Sequence, residues 1–236
     1  MGAIVGIDLG TTFSVISVLD ETGRPVIVHN TEGQNVTPSG VTEDDGVIIV
    51  GSEAIKAWYT GLRRKKDSAA VRFKRAMGTS QKFTIHGAEF TPTQLSGFVL
   101  KKLKEDAEKT IGPIDQAVVT VPANFSNKAR EATLAAAKMA GLNIDFVINE
   151  PTAAALYYAF KAGESFHGNY AVYDFGGGTF DISIIRVDGQ DVEVLTSNGI
   201  HELGGDDFDR IMQDLVVHRF SRLFKRHKKV SGGVSI

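Results

Sequence analysis

Two segments far apart in the chain share an aspartate, a glycine turn and a threonine between apolar runs. The first reads GIDLGTTFS at residues 6–14, and the second reads DFGGGTFD at residues 174–181. Glycine leaves backbone N–H groups unshielded and adopts positive φ easily, so such a turn can present amides to a phosphate group. An aspartate at the end of the preceding strand suits hydrated Mg²⁺, which binds carboxylate and water oxygens. The pattern therefore predicts phosphate and metal chemistry at both turns.

Either turn taken alone is equally typical of an ordinary β-hairpin, in which glycine forms the turn and aspartate caps it. The repetition of aspartate, glycine, threonine and phenylalanine in the same order favours another interpretation. Two related lobes would then face each other and hold a triphosphate between the two turns.

Strand and helix signals place each turn inside a meander of three strands. The predicted strands of the two meanders cover residues 3–8, 13–19 and 25–28, and residues 170–174, 180–187 and 191–197. Between the two meanders, the sequence predicts helices at 93–111, 126–140 and 151–162 and buried strands at 117–121 and 144–148. A long helix is predicted to follow the glycines and aspartates at 204–207.

This order of elements predicts an α/β protein with a first lobe over residues 1–165 and a partial second lobe over residues 166–236. Residues 30–92 interrupt the first lobe with short strands and many turn residues, which indicates an inserted subdomain. Residues 164–169 are predicted to be a linker between the lobes.

Composition excludes several classes of function. The chain has 236 residues, 42% of them hydrophobic, which is enough for a substantial core. A net charge of −2 gives no general attraction for nucleic acid, and no apolar run approaches the length of a membrane span. The absence of cysteine removes thiolate catalysis and zinc–thiolate sites. The first residues are predicted to form a strand, not a signal peptide, so we expect a cytoplasmic protein with no nucleic-acid or membrane partner.

The two turns, together with INEPTAAA at 148–155 and LGGDDFD at 203–209, resemble the ATPase domain of the seventy-kilodalton heat-shock chaperones of the DnaK type. The resemblance extends from residue 2 to about residue 228. It implies an actin-like ATPase fold with a ribonuclease-H-like core, and ATP hydrolysis that controls the binding of client proteins. Nothing after Lys229 resembles the adenosine-side subdomain or the substrate domain of that family. The chain is therefore expected to be an N-terminal portion with a truncated second lobe.

The resemblance also implies roles for single residues. Asp8 and Asp174 would hold magnesium through water, and Asp181 would lie near potassium. The implied catalytic residues are Asp8, Lys74, Glu150, Asp174 and Thr179. The implied ATP or ADP contacts are Gly10, Thr11, Thr12, Phe13, Gly176, Gly177, Gly178, Thr179, Gly204 and Gly205. Without the resemblance, Lys74 is typical of an exposed cation in a basic segment, and Glu150 of a residue that caps a helix.

The partners follow from the same resemblance. Pro122 and Arg130 would relay the nucleotide state, although Pro122 is equally consistent with the end of a strand. The implied partners are nucleotide, a substrate domain, a J-domain co-chaperone, a nucleotide exchange factor and unfolded client proteins. An uncovered apolar face at Phe208, Ile211 and Leu215 predicts self-association of this chain. The alternatives are a sugar or acetate kinase, a filament-forming actin relative, and a module that binds nucleotide without turnover.

Overall fold

A computed structural model of the protein describes residues 2–64, 67–162, 167–189, 191–200 and 202–231. The largest sheet has six strands, in the order β11-β10-β1-β2-β3, and β4 pairs with β2 beside β3. These strands are β1 (Ala3–Asp8), β2 (Phe13–Leu19), β3 (Pro25–Ile27), β4 (Thr37–Pro38), β10 (Ile114–Val121) and β11 (Val147–Asn149). β1, β10 and β11 are parallel, whereas β2 is antiparallel to β1. Asp8 therefore lies at the carboxyl end of a central strand.

Two helices cover this sheet and complete the main hydrophobic core. α2 (Pro92–Ile111) begins with a capping box, in which Thr91 and Gln94 satisfy each other's backbone N–H groups. α3 (Asn127–Met139) begins at Ser126, whose hydroxyl accepts from the N–H of Ala129. Fully buried residues of the sheet and of α2, including Val119 and Leu100, belong to one apolar cluster.

The segment between β4 and α2 forms small sheets and a helix of its own. Its elements are β5 (Gly40–Asp44), β6 (Val47–Val50), α1 (Ser52–Arg64), β7 (Ala69–Val71), β8 (Phe83–Ile85) and β9 (Ala88–Phe90). A single 3-10 turn over Phe73–Ala76 follows β7. Arg72, just before this turn, has a φ of 59°, a left-handed conformation that is uncommon outside glycine. The turn carries Lys74 toward the large sheet.

The second meander forms a separate antiparallel sheet in the order β12-β13-β14. Its strands are β12 (His167–Phe175), β13 (Phe180–Asp188) and β14 (Asp191–Ile200). α4 (Glu150–Ala162) contacts β10 and β11 of the first sheet and all three strands of the second. Ala155 of α4 is buried in the same cluster as Ile185 and Val187 of β13. α5 (Gly205–Ser231) follows the second sheet, and Phe208, Ile211 and Leu215 on it are more than half exposed.

The structure confirms most of the predicted elements and corrects two of them. β12 begins at His167, so residues 167–169 of the predicted linker belong to a strand, whereas residues 163–166 lie outside the described residues. The strand predicted at 144–148 is shorter and later, at Val147–Asn149, because pairing with β10 begins only at Val147; Ile144 is buried but lies outside the strand. The division into two lobes stays a prediction. None of the helices in the described part of the chain is long and apolar enough to cross a membrane.

Candidate phosphate-binding site

A cavity of about 290 Å³ lies where the two glycine turns meet. Its lining residues are Asp8, Gly10, Thr11, Thr12, Phe13, Lys74, Glu150, Asp174, Gly176, Gly177, Gly178 and Thr179. All twelve are residues that the sequence predicted for the site. They come from four separate places in the chain: the turn after β1, the 3-10 turn, the first turn of α4, and the turn after β12. The fold therefore brings the predicted catalytic set into one cavity.

Gly177 and Gly178 at this cavity are required by close approach, not by backbone conformation. A Cβ on Gly177 would lie 2.8 Å from Thr12 Cβ and would overlap the Thr12 hydroxyl. A Cβ on Gly178 would lie 2.9 Å from Arg75 Nε and would overlap the Thr11 side chain. None of the three glycines in the second turn has φ in the left-handed region, so this turn does not use the positive φ that glycine adopts easily. The two turns pack against each other so closely that no side chain fits between them.

A third loop supports the second turn from outside the cavity. The N–H of Gly205 donates to the carbonyl of Gly176 at 3.0 Å, and the N–H of Asp206 donates to the carbonyl of Gly177 at 2.9 Å. A Cβ on Gly204 would overlap the Gly177 backbone. Gly204 and Gly205 thus do not line the cavity; instead they hold the glycine turn that does.

Lys74 and Glu150 form a buried ion pair at the cavity, with 2.7 Å between Nζ and Oε1. The two side chains are only 7% and 15% exposed. Burial raises the pKa of Glu150 to about 7, and attraction to Lys74 offsets only part of that rise. Burial alone lowers the pKa of Lys74, but attraction to Glu150, Asp8 and Asp174 gives a net rise. The pKa of Glu150 therefore rises mainly through burial, to which repulsion by Asp8 and Asp174 adds, and the pKa of Lys74 rises mainly through attraction to Glu150.

Two more cations beside Lys74 join the inserted segment to the start of α5. Arg72 Nε donates to Asp206 Oδ2 at 2.6 Å, and Arg75 Nη2 donates to Asp207 Oδ2 at 3.2 Å. Asp207 also accepts from the N–H of Gly204 at 3.0 Å. These two ion pairs were not predicted from the sequence. The available signal was a run of three cations at 72–75 and two aspartates at a helix start, but nothing local shows that they meet.

The aspartates predicted to hold metal occupy different environments. Asp8 lines the cavity and accepts a hydrogen bond of 2.8 Å from the Thr120 hydroxyl, and Asp174 lines the cavity too. Asp181 lies opposite Asp174 in the strand pair, is buried, and accepts from Asn124 Nδ2 at 2.6 Å. It is not among the lining residues. Within the described ranges, no three His, Cys, Asp or Glu side chains form a direct metal site.

A model of the protein family described as Hsp70 protein matches residues 4–84 and 65–231 of the chain. These ranges cover nearly all of the described residues, including both glycine turns and the cavity. The chain belongs to the Hsp70 family. Its mixed α/β structure is the actin-like ATPase fold of that family. Membership of the family supports the assignment of this chain to the ATP-binding ATPase domain of a chaperone.

The cavity of this Hsp70-family chain fits a polyphosphate accompanied by a cation. The hydroxyl of Thr12 is buried at the cavity and has no hydrogen-bond partner among the described residues. An anionic oxygen there would satisfy this buried donor. Three carboxyl groups, those of Asp8, Glu150 and Asp174, face the single ammonium group of Lys74. A polyanion without a cation would therefore be repelled. A hard divalent cation is the partner that such oxygen ligands favour.

Pro122 and Arg130 lie outside the cavity, near the residue that precedes Glu150. Arg130 Nη2 donates to Asn149 Oδ1 at 2.7 Å and to the carbonyl of Ala123 at 3.0 Å. Pro122 is buried at the end of β10. The geometry links Arg130 to the start of α4, and the relay role itself stays a prediction.

Proposed function

We propose that this chain binds Mg²⁺–ATP in the 290 Å³ cavity and hydrolyses it to ADP and phosphate. The observation that carries the proposal is the meeting of both glycine turns with Lys74 and Glu150 in one cavity. Backbone amides of the turns and the Thr12 hydroxyl would bind the phosphate oxygens. Asp8 and Asp174, which both line the cavity, would hold magnesium through water. When bound, magnesium would neutralise part of the negative charge of the phosphates.

Glu150 is the residue suited to accept a proton from the attacking water. Its pKa of about 7 divides it between protonated and charged forms at neutral pH, which is the range in which a general base is most useful. As the water oxygen bonds to the γ-phosphorus, its proton passes to Glu150. The bond from the γ-phosphorus to the bridging oxygen breaks, leaving ADP and phosphate. Lys74 would stabilise the negative charge on the transferred group.

Lys74→Ala tests this assignment. We expect Mg²⁺–ATP affinity to stay within a few-fold of the parent, because the turns and aspartates remain. The rate of hydrolysis should fall by about 100-fold or more, which is the usual effect of removing a group that stabilises negative charge in the transition state. Calorimetry measures the affinity, and single-turnover phosphate release measures the hydrolysis. Lys82→Ala is the matched control, because Lys82 is an exposed cation near the same turn but outside the cavity. Unchanged hydrolysis in Lys74→Ala would contradict the proposal.

We also propose that the nucleotide state controls the binding of client proteins by a substrate domain, with a J-domain co-chaperone and an exchange factor acting on the cycle. The contact between Arg130 and Asn149 supports this, because it ties the predicted relay to the residue beside Glu150. Potassium near Asp181 and a cytoplasmic location stay predictions.

A further inference from the structure

A hydrogen bond reaches Asp8 from outside the phosphate cavity. The hydroxyl of Thr120 donates to Asp8 Oδ1 at 2.8 Å. Asp8 lines the cavity, whereas Thr120 is half-buried and is not among the described residues that line it. An ionised carboxylate only accepts hydrogen bonds, so the hydroxyl must be the donor. The bond engages one oxygen of Asp8 and leaves the other available to the cavity.

The pairing of two strands explains why these side chains meet. β1 and β10 are adjacent parallel strands, with Ile7 opposite Val119. The next residue in each strand is polar, Asp8 in β1 and Thr120 in β10. Because successive side chains of a strand point to opposite faces, the two polar residues point away from the face on which Ile7 and Val119 are buried. Threonine is β-branched and has few χ1 rotamers open to it, so the strand also restricts the direction of the hydroxyl.

Asp8 has a competing partner inside the cavity. Lys74 lines the same cavity, and although burial opposes its charge, attraction to Glu150 and then to Asp8 raises the pKa of this lysine. The same attraction pulls the Asp8 carboxylate toward the ammonium group. A carboxylate that paired directly with Lys74 would attract a hydrated cation less strongly. The hydrogen bond from Thr120 holds Asp8 on the β10 side instead.

We propose that Thr120 is a positioning residue for magnesium, because it orients Asp8 and keeps the second carboxylate oxygen free for the hydrated cation. This inference rests on the proposed function, in which Asp8 and Asp174 hold magnesium through water. It adds a residue outside the cavity that acts only through Asp8. Carboxylates that bind metals are commonly held by such outer hydrogen bonds, and loss of the partner lowers the metal affinity.

The gain in ADP affinity that magnesium produces tests this role without any measurement of hydrolysis. Calorimetry gives the affinity of the chain for ADP with saturating Mg²⁺ and with EDTA, and the ratio of the two affinities measures the coupling between metal and nucleotide. Thr120→Val keeps the shape of the side chain but removes the hydroxyl. In this variant the ratio should fall by about five-fold or more relative to the parent, because outer partners of metal-binding groups have effects of about 10–100-fold when the metal is bound directly. ADP affinity in EDTA should stay within about two-fold of the parent.

Two further variants serve as controls. Thr120→Ser keeps the hydroxyl, so its ratio should stay within about two-fold of the parent. Thr84→Val makes the same substitution at an exposed threonine of β8, outside the cavity, and should leave the ratio unchanged.

The outcomes separate this inference from the proposed function. An unchanged ratio in Thr120→Val overturns the inference and leaves the phosphate site standing. Equal weakening of ADP with and without Mg²⁺ also overturns it, because Thr120 then acts only through the fold. A loss in Thr120→Ser as large as that in Thr120→Val overturns it too, because the hydroxyl is then not the cause. If Thr120→Val does not fold, Thr120→Ala is judged by the same ratio.

Two outcomes concern the parent chain itself. If it binds no ADP, the proposed function is overturned and the inference with it. If it binds ADP equally well with Mg²⁺ and with EDTA, the magnesium site of the proposed function is overturned, and the role of Thr120 falls with that site.

Discussion

Glu150→Gln should remove a specific part of the pH dependence of folding stability. Burial raises the pKa of Glu150 from its usual 4.5 to about 7. Between these two pH values the folded chain binds a proton at Glu150 that the unfolded chain does not bind. By linkage, the free energy of unfolding therefore increases as pH falls from 7 toward 4.5, and decreases as pH rises through the same window. Glutamine keeps the shape of the side chain but has no proton to exchange.

The expected size of this effect follows from the two pKa values. Each unit of pKa corresponds to about 1.4 kcal/mol, so the charged carboxylate destabilises the folded chain by about 3 kcal/mol at pH 8 relative to strongly acidic conditions. Over the practical range from pH 5 to pH 8, the change is about 2–3 kcal/mol. Lys74 stays charged throughout that range, because its pKa is raised. The difference in unfolding free energy between parent and variant should therefore follow Glu150 alone.

Urea unfolding of the nucleotide-free and magnesium-free chain at pH 5, 6, 7 and 8 measures this difference. The parent should lose stability relative to Glu150→Gln as pH rises, by about 2–3 kcal/mol in total. Glu131→Gln is the control, because it removes an exposed carboxylate from α3 and should follow the parent at every pH. A parent-minus-variant difference that is flat within about 1 kcal/mol would refute the claim that burial controls Glu150.

The close packing around the cavity yields two further predictions. Gly177→Ala should lower the free energy of unfolding by about 1–3 kcal/mol and weaken nucleotide binding, because the added Cβ would overlap Thr12. Gly176→Ala is the control. It should lower the free energy of unfolding much less, because a Cβ there has only an ordinary contact at 3.6 Å. Equal stability losses in urea unfolding would contradict this reasoning. A double-mutant cycle on Arg75→Ala and Asp207→Asn should give a coupling energy of about 1 kcal/mol that decreases with added salt. A coupling energy near zero would show that this ion pair does not join the inserted segment to α5.

Local sequence signals predicted most of the elements and the two turns. A continuous apolar run identifies β1, and a run rich in β-branched residues identifies β13. The order of aspartate, glycine and threonine marks the turns that line the cavity. The resemblance to the heat-shock chaperones rests on these segments and agrees with the match to the Hsp70 family. Such features are readable because strand formation and turn chemistry depend on residues that are neighbours in the chain.

Only the tertiary structure decided which side chains meet. Lys74 and Glu150 are 76 residues apart, and Arg72 and Asp206 are 134 residues apart, so no local pattern shows that they pair. Gly177 is glycine because Thr12 of a distant turn occupies the space beside it, and not because its own φ requires it. The sequence determined the kinds of groups available, and the packing of separate elements determined their burial, their pKa values and their partners.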